Sequence, residues 1–115
     1  MPDNAMCQML LAQKNSLSAQ LDQFNQTLAL QWAVCVADDV FPGGPASGQD
    51  QNSVQLRIDE LVHLASDPSD PFHGVVIDAI NAYNAYLSTL MMRMQVQLQL
   101  NTVIQQLIAN GCPLE

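Results

Sequence analysis

The chain has 115 residues and a formal net charge of -8, and 49% of its residues are hydrophobic while 12% are charged, about half the usual share. This length suits one small domain. Its three cations, Lys14, Arg57 and Arg93, are too few for a basic patch, which excludes nucleic acid and an anionic membrane surface as principal partners.

Neutral amides take the place of the missing charges on the polar surface, with 14 Gln and 8 Asn against 14 charged residues in total. No apolar run approaches the roughly 18 to 20 residues that span a bilayer, so the sequence predicts no transmembrane segment. The first residues also lack the basic and apolar regions of a cleavable signal peptide. We expect synthesis in the cytoplasm, and any export to proceed without a cleaved signal.

The first predicted element is a long helix over residues 4–38. Its apolar residues follow the alternating spacing of three and four that places side chains on one helix face. They are Leu10, Leu17, Leu21, Phe24, Leu28 and Cys35, with Lys14 and Gln31 in the two intervening positions. A second strip of Leu30, Trp32, Val34 and Val36 predicts deeper burial at the end of this helix, although its alternation fits a short strand equally well. Asp38 and Asp39 are expected to be solvated at the helix end.

A flexible loop over residues 41–52 follows, because this segment is rich in Gly and Pro. A short second helix is predicted over 53–65, with Ser53 as its N-cap. The segment SDPSDP at 66–71 then forms a corner in which Asp70 caps a third helix that begins at Pro71. This last helix is predicted to run to residue 110, where Gly111 ends it.

These elements predict an all-α single domain over residues 1–115. The first and last helices are expected to form an antiparallel helical hairpin or a small helical bundle. One stretch of the last helix, 96–100, alternates apolar residues with Gln as a strand would. We still favour helix there, because Gln and Leu are good helix formers and no turn residues bound the run.

The last helix is also predicted to carry an intermolecular interface. Its apolar stripe runs through Tyr83, Leu87, Leu90 and Met94 and then shifts phase, so a single intramolecular neighbour is not expected to cover its full length. The predicted interface residues are Tyr83, Tyr86, Leu90, Met94, Leu100, Val103 and Leu107. Replacing Leu100 or Leu107 with Glu is expected to break assembly before folding.

The side chains that carry chemistry form no recognised site. Cys7, Cys35 and Cys112 are odd in number and far apart, which predicts free thiols. His63 and His73 do not have the spacing of metal ligands on a helix, and no nucleophile lies in a known motif with a base. We therefore predict no enzyme activity, no catalytic residue, no cofactor and no metal. A metal-binding helical bundle remains a weaker alternative, since Met91, Met92 and Met94 are soft ligands.

Two short motifs suggest a family. The sequence PSDP at 68–71 is followed, after eleven residues, by YNAY at 83–86 and LSTL at 87–90. This arrangement resembles the needle and inner-rod subunits of type III secretion systems, and the LSTL segment resembles the inner rod in particular. The resemblance implies a subunit that is exported unfolded and polymerises around a secretion channel, with its C-terminal helix between subunits.

The predicted function is thus that of a non-enzymatic structural or interaction protein. Its partners are expected to be further copies of itself, a helical partner protein, or both. The alternative is a small cytosolic adaptor or chaperone that forms a closed dimer and holds a partner helix in a groove. Concentration dependence separates the two, because an assembling subunit has an open interface and an adaptor has a closed one.

Overall fold

The computed structural model describes residues 4–114 and contains three α-helices over that range. They are α1 (Asn4–Asp38), α2 (Gln51–Leu64) and α3 (His73–Ala109), and no strand occurs among the described residues. The all-α prediction is confirmed. Residues 96–100 are helical, so the helix preference of Gln and Leu outweighs the two-residue alternation there.

The ends of the helices show which capping signals were identified correctly. The bounds of α1 match the predicted 4–38. The second helix begins two residues early because Asp50, not Ser53, is its N-cap: the Asp50 carboxylate accepts hydrogen bonds from Ser53 N at 3.1 Å and Ser53 Oγ at 2.7 Å. Asp70 accepts from Phe72 N at 2.8 Å, yet α3 begins at His73, so the predicted start at Pro71 is wrong by two residues.

The end of α3 follows the predicted pattern. Gly111 has a φ of +66°, its N–H donates to Ile108 O, and Cys112 N donates to Leu107 O. These two bonds and the left-handed residue define a Schellman motif, which satisfies the last carbonyl groups of a helix. Glycine is favoured at this position because it has no Cβ to clash.

The chain forms two compact units, and both long helices contribute to each of them. The terminal unit comprises residues up to 25 together with those from 91 onwards, and the central unit comprises Gln26–Leu90. The terminal unit is a pair of helical segments that are antiparallel, since Cys7 is joined to Cys112 while Asn25 accepts a hydrogen bond from Arg93 at 3.1 Å.

The core of the terminal unit contains the disulfide. Cys7, Leu10, Val103, Leu107 and Cys112 are buried together, with Leu11 and Leu17 packed against them. The prediction of free thiols is therefore wrong for Cys7 and Cys112. They are 105 residues apart in sequence, and only the antiparallel packing brings their Cα atoms to 5.5 Å. The third cysteine, Cys35, is free and buried.

The phase shift in the α3 stripe has a specific cause. Arg93 is half-buried and bonds to Asn25, whereas Met94, which the spacing placed on the stripe, is 54% exposed. The buried positions continue beyond Arg93 at Val96 and Leu100. A half-buried Arg93 thus lies at the stripe position that the spacing predicts for Met94.

The central unit has the larger core, formed by α1, α2, α3 and the loop between the first two. Its buried residues are Leu28, Cys35, Ala46, Val54, Ile58, Leu61, Val76, Ala79, Ile80, Tyr83, Tyr86 and Leu87. The predicted burial of a second strip on α1 is wrong for three of its four residues: Leu30, Val34 and Val36 are 72%, 51% and 42% exposed, whereas Trp32 is half-buried against the core. The end of α1 meets its neighbours through one face only, and these three side chains lie outside it.

Candidate functional site

The most deeply buried polar group in the described residues is an ion pair at the centre of the central unit. Arg57 Nε lies 2.8 Å from Asp39 Oδ2 and Arg57 Nη2 lies 2.7 Å from Asp39 Oδ1, which is a bidentate arrangement. The two side chains are 3% and 0% exposed. Tyr83 OH donates to Asp39 Oδ2 at 2.6 Å. We call Asp39, Arg57 and Tyr83 the polar cluster.

The polar cluster fixes the loop between α1 and α2. Arg57 Nη1 donates to Pro42 O at 3.0 Å, and Arg57 Nη2 donates to Phe41 O at 3.2 Å. The backbone N–H of Ala46 donates to the Tyr83 hydroxyl oxygen at 3.1 Å. Although its composition is that of a flexible linker, the loop is therefore anchored at several points by buried side chains.

The protonation states of the polar cluster follow from its geometry. Burial alone would raise the pKa of Asp39, but the hydrogen bonds from Arg57 and Tyr83 outweigh burial and hold this pKa below its ordinary value. Burial and the bond to Asp39 raise the pKa of Tyr83. At neutral pH the carboxylate is therefore charged and the phenol is protonated, so the expected solvation of Asp39 at a helix end is wrong.

The hydrogen-bonding groups of the polar cluster are engaged within the chain. Both oxygens of Asp39 are already hydrogen-bonded, and Glu60 Oε2 takes a further donor of Arg57 at 2.8 Å. The nearby Cys35 thiol is fully buried, and burial together with Asp38 raises its pKa to about 11. A protonated, buried thiol is a poor nucleophile.

The two tyrosines of the predicted interface lie inside the central unit. Tyr83 and Tyr86 are 0% and 2% exposed. Their rings pack on Trp32 at centroid distances of 6.3 and 5.3 Å, and Tyr86 OH donates to Gln49 O at 3.1 Å. In this conformation both side chains are used in contacts within the chain.

Most of the remaining predicted interface residues are also buried or half-buried within the chain. Leu100, Val103 and Leu107 are at most 8% exposed, and Leu90 is half-buried. Only Met94 presents a large apolar surface to solvent. The interface itself stays a prediction, but the side chains that offer surface for it are different from most of those the stripe indicated.

A separate apolar stripe lies on the outside of α3 in the terminal unit. Met91, Met94 and Leu98 are 53%, 54% and 61% exposed. Their spacing of i, i+3 and i+7 places them on one face, opposite the face that buries Val96 and Leu100. We call Met91, Met94 and Leu98 the outer stripe. A single apolar face predicted from the spacing does not include this stripe, because Met91 and Leu98 fall between the core positions.

A second exposed surface lies in the central unit. An open cavity of about 500 Å³ is lined by Val40, Phe41, Pro42, Leu64, Asp70, Phe72, Val75 and Val76. A neighbouring depression of about 510 Å³ shares Pro42 and Leu64 with it and is also lined by Leu56, Arg57, Asp59, Glu60 and His63. We call these two adjacent depressions the central groove.

Other kinds of site find little support in the described residues. Residues 4–114 contain no group of three or more His, Cys, Asp or Glu side chains placed to hold a metal ion. None of the helices in that range has the length and apolar character needed to cross a membrane. No protein-family model, curated protein or solved structure matches the chain.

Proposed function

We propose that this chain is a non-enzymatic structural subunit that associates with further copies of itself through the outer stripe of α3. The observation that carries the proposal is the stripe itself, three neighbouring large apolar side chains that are each more than half exposed. Contiguous exposed apolar surface of this kind marks interaction sites in soluble proteins. Methionine suits such a contact because its flexible side chain adapts to a partner surface.

Charge supports association between identical copies. From residue 94 to residue 114 the chain has no charged side chain, and Arg93, the one charged residue between Met91 and Leu98, is half-buried and bonded to Asn25. Two copies can bring these faces together without like-charge repulsion, while the amides form hydrogen bonds across the rim. Lys14 lies in the same unit, and its ammonium group donates a hydrogen bond to the backbone carbonyl of Leu114. The positive charge of Lys14 is therefore already engaged within the chain.

A place in a type III secretion apparatus, as a needle-like or inner-rod-like subunit, is the more specific form of this proposal. It is supported by the resemblance at 68–71 and 83–90. The Cys7–Cys112 disulfide supports export from the cytoplasm, because disulfides persist in oxidising compartments. The alternative is the adaptor that forms a closed dimer. The same exposed stripe would then be the dimer contact, with a symmetry that closes instead of one that stays open.

The test is sedimentation of the purified chain over a wide concentration range. We expect the mass to rise with concentration, and Met94→Glu and Leu98→Glu to weaken association at least about tenfold, because each places a carboxylate in a desolvated contact. Leu30→Glu is the matched control, since Leu30 is 72% exposed and lies in the other unit. Circular dichroism should show the same helicity in all four proteins.

The outcomes separate the alternatives. A mass that keeps rising indicates an open interface and assembly, whereas a plateau at the dimer indicates the closed adaptor. A wild-type chain that stays monomeric overturns self-association. Leu107→Glu is expected to unfold the protein, because Leu107 is 0% exposed in the terminal core. This replaces the expectation from sequence that charging Leu107 breaks assembly first.

A further inference from the structure

We propose that the central groove is a docking site for a cationic amphipathic helix of a partner protein. Its lining includes accessible apolar side chains: Val40 and Phe72 are 74% and 65% exposed, and Leu56 and Leu64 are 65% and 44% exposed. A large aromatic side chain left in solvent beside three aliphatic ones is unusual for a folded chain. These residues come from the loop, α2 and the start of α3, which together form one surface.

The charge around the groove selects the partner. Eight of the eleven acidic residues of the chain lie between residues 26 and 90, where Arg57 is the only Lys or Arg. The Arg57 side chain is 3% exposed and already bonded to Asp39 and Glu60, so it offers no positive charge to a ligand. Asp59, Glu60 and Asp70 line the groove.

This acidic rim excludes several occupants. An anionic membrane or a nucleic acid would be repelled. A second copy of this chain would bring the same acidic surface and has no basic segment to offset it. A segment with Lys or Arg beside its apolar anchors satisfies both the apolar lining and the rim, so the groove is complementary to a basic amphipathic helix.

The dimensions and rigidity of the groove also suit a helix. The two depressions, of about 500 and 510 Å³, each fall in the range that accommodates a few large side chains. A docking helix presents its anchors at i, i+3 or i+4, and i+7, which spans about two turns. Arg57 holds the carbonyls of Phe41 and Pro42, so one wall of the groove is fixed before binding.

The test uses a synthetic amphipathic peptide of Leu and Lys, with Leu on one helix face and a fluorescent label at its end. Fluorescence anisotropy should show binding to the full chain that weakens as salt is raised, because screening shortens the Debye length from about 10 Å at 0.1 M to about 3 Å at 1 M. The control peptide has Glu in place of every Lys and should not bind.

Variants then locate the site. Phe72→Gln removes an apolar anchor without changing the charge and should weaken peptide binding about tenfold. Ile108→Gln is the matched control, because Ile108 is 62% exposed in the terminal unit, and it should change binding less than about twofold. Asp59→Lys should weaken binding at low salt more than at high salt. If Phe72→Gln does not fold, Val75→Gln and Asp59→Lys decide the question.

An NMR titration of the chain with the Lys peptide should shift amide signals mainly in residues 40–42, 56–64 and 70–76. Several results would overturn the proposal: no binding of the Lys peptide, equal loss in Phe72→Gln and Ile108→Gln, or amide shifts that concentrate outside those three segments. A Phe72→Gln variant that dissociates an oligomer of the free chain would assign the groove to a second copy instead. The outer stripe shares no residue with the groove, so failure of self-association and failure of peptide binding are distinguishable.

Discussion

At the scale of single residues, the buried Asp39 carboxylate connects several parts of the central unit. Its carboxylate accepts from Arg57 of α2 and from Tyr83 of α3, and Tyr83 in turn accepts from the loop at Ala46. Because Arg57 is as buried as Asp39, loss of the carboxylate leaves a buried cation without its main partner. Removing one partner of a buried ion pair usually costs more free energy of folding than the intact pair contributes.

The first prediction is that Asp39→Asn lowers the free energy of unfolding by about 3–5 kcal/mol at neutral pH. The pKa of Asp39 is depressed in the folded state, so its stabilisation is present above the unfolded pKa of about 3.9 and is lost as the pH falls through the folded pKa. The difference between wild type and Asp39→Asn should therefore narrow on acidification. Urea unfolding at a series of pH values measures this difference in the free energy of unfolding.

The control for this prediction is Asp59→Asn, since Asp59 is exposed and bonds only to Gln55 among the described contacts. We expect a change of no more than about 0.5 kcal/mol there. If the Asp39→Asn difference stays constant from neutral pH to about pH 2, the ionised carboxylate is not the source of the stability.

At the scale of elements, periodicity predicted the helices well and local capping less well. The α1 stripe runs from Leu10 to Cys35, about seven turns, and a polar residue at one position does not change its period, so the helix was recognised in spite of Lys14 and Gln31. The start of α2 depends on one side chain. Asp50 and Ser53 are both good N-cap residues, and the pattern alone does not say which one takes the extended conformation.

The polar cluster and the disulfide lay beyond the reach of sequence reasoning for a different reason. Asp39 and Arg57 are 18 residues apart and Cys7 and Cys112 are 105 apart, so each contact depends on tertiary packing. One signal was present: Arg57 falls one position before Ile58 of the α2 stripe, and a lone cation at the edge of an apolar face often has a buried partner. Eight acidic residues between 26 and 90 were candidates for that partner, and the sequence does not say which of them packs on Arg57.

The second prediction concerns the loop and compares two glycines. A Cβ on Gly44 would lie 2.5 Å from Arg57 Nη2 and 2.5 Å from both carboxylate oxygens of Asp39, so Gly44→Ala must displace the buried ion pair. We expect a loss of about 2–4 kcal/mol, as for other disrupted buried networks. A Cβ on Gly74, in the first turn of α3, meets nothing within 4 Å.

Gly74→Ala is therefore the matched control, and we expect it to stabilise the protein by up to about 1 kcal/mol through helix propensity. In thermal unfolding, the midpoint temperature should fall for Gly44→Ala and rise for Gly74→Ala. If Gly44→Ala unfolds at the wild-type temperature, the loop adapts without disturbing Arg57, and the tight approach at Gly44 is not required for stability.

At the scale of the whole molecule, charge is unevenly divided between the two units. The central unit has most of the acidic residues and the central groove, while the described part of the terminal unit has Asp22 as its only acidic residue and also has the outer stripe. Like-charge repulsion therefore opposes contact between two central units, and little opposes contact between two terminal units. The same chain can thus present one surface for identical copies and another for a basic partner.

The last prediction concerns the Cys7–Cys112 disulfide, which closes almost the whole chain into one loop of 105 residues. Such a crosslink restricts the unfolded chain, and loops of about 100 residues are expected to gain roughly 2–5 kcal/mol. Reduction, or the double variant Cys7→Ser with Cys112→Ser, should lower the free energy of unfolding by that amount. Helicity of the central unit below the transition should be retained, because its apolar core contains neither Cys7 nor Cys112.

Cys35 provides the control for that experiment. It is fully buried, and its pKa is raised to about 11 by burial and by Asp38, so little of the reactive thiolate exists at neutral pH. Exchange that would move the disulfide onto Cys35 should therefore be slow in the folded protein. A reductant should destabilise wild type and Cys35→Ala by equal amounts and leave the double serine variant unchanged. A wild-type protein whose unfolding midpoint ignores the reductant would show that this crosslink does not contribute to stability.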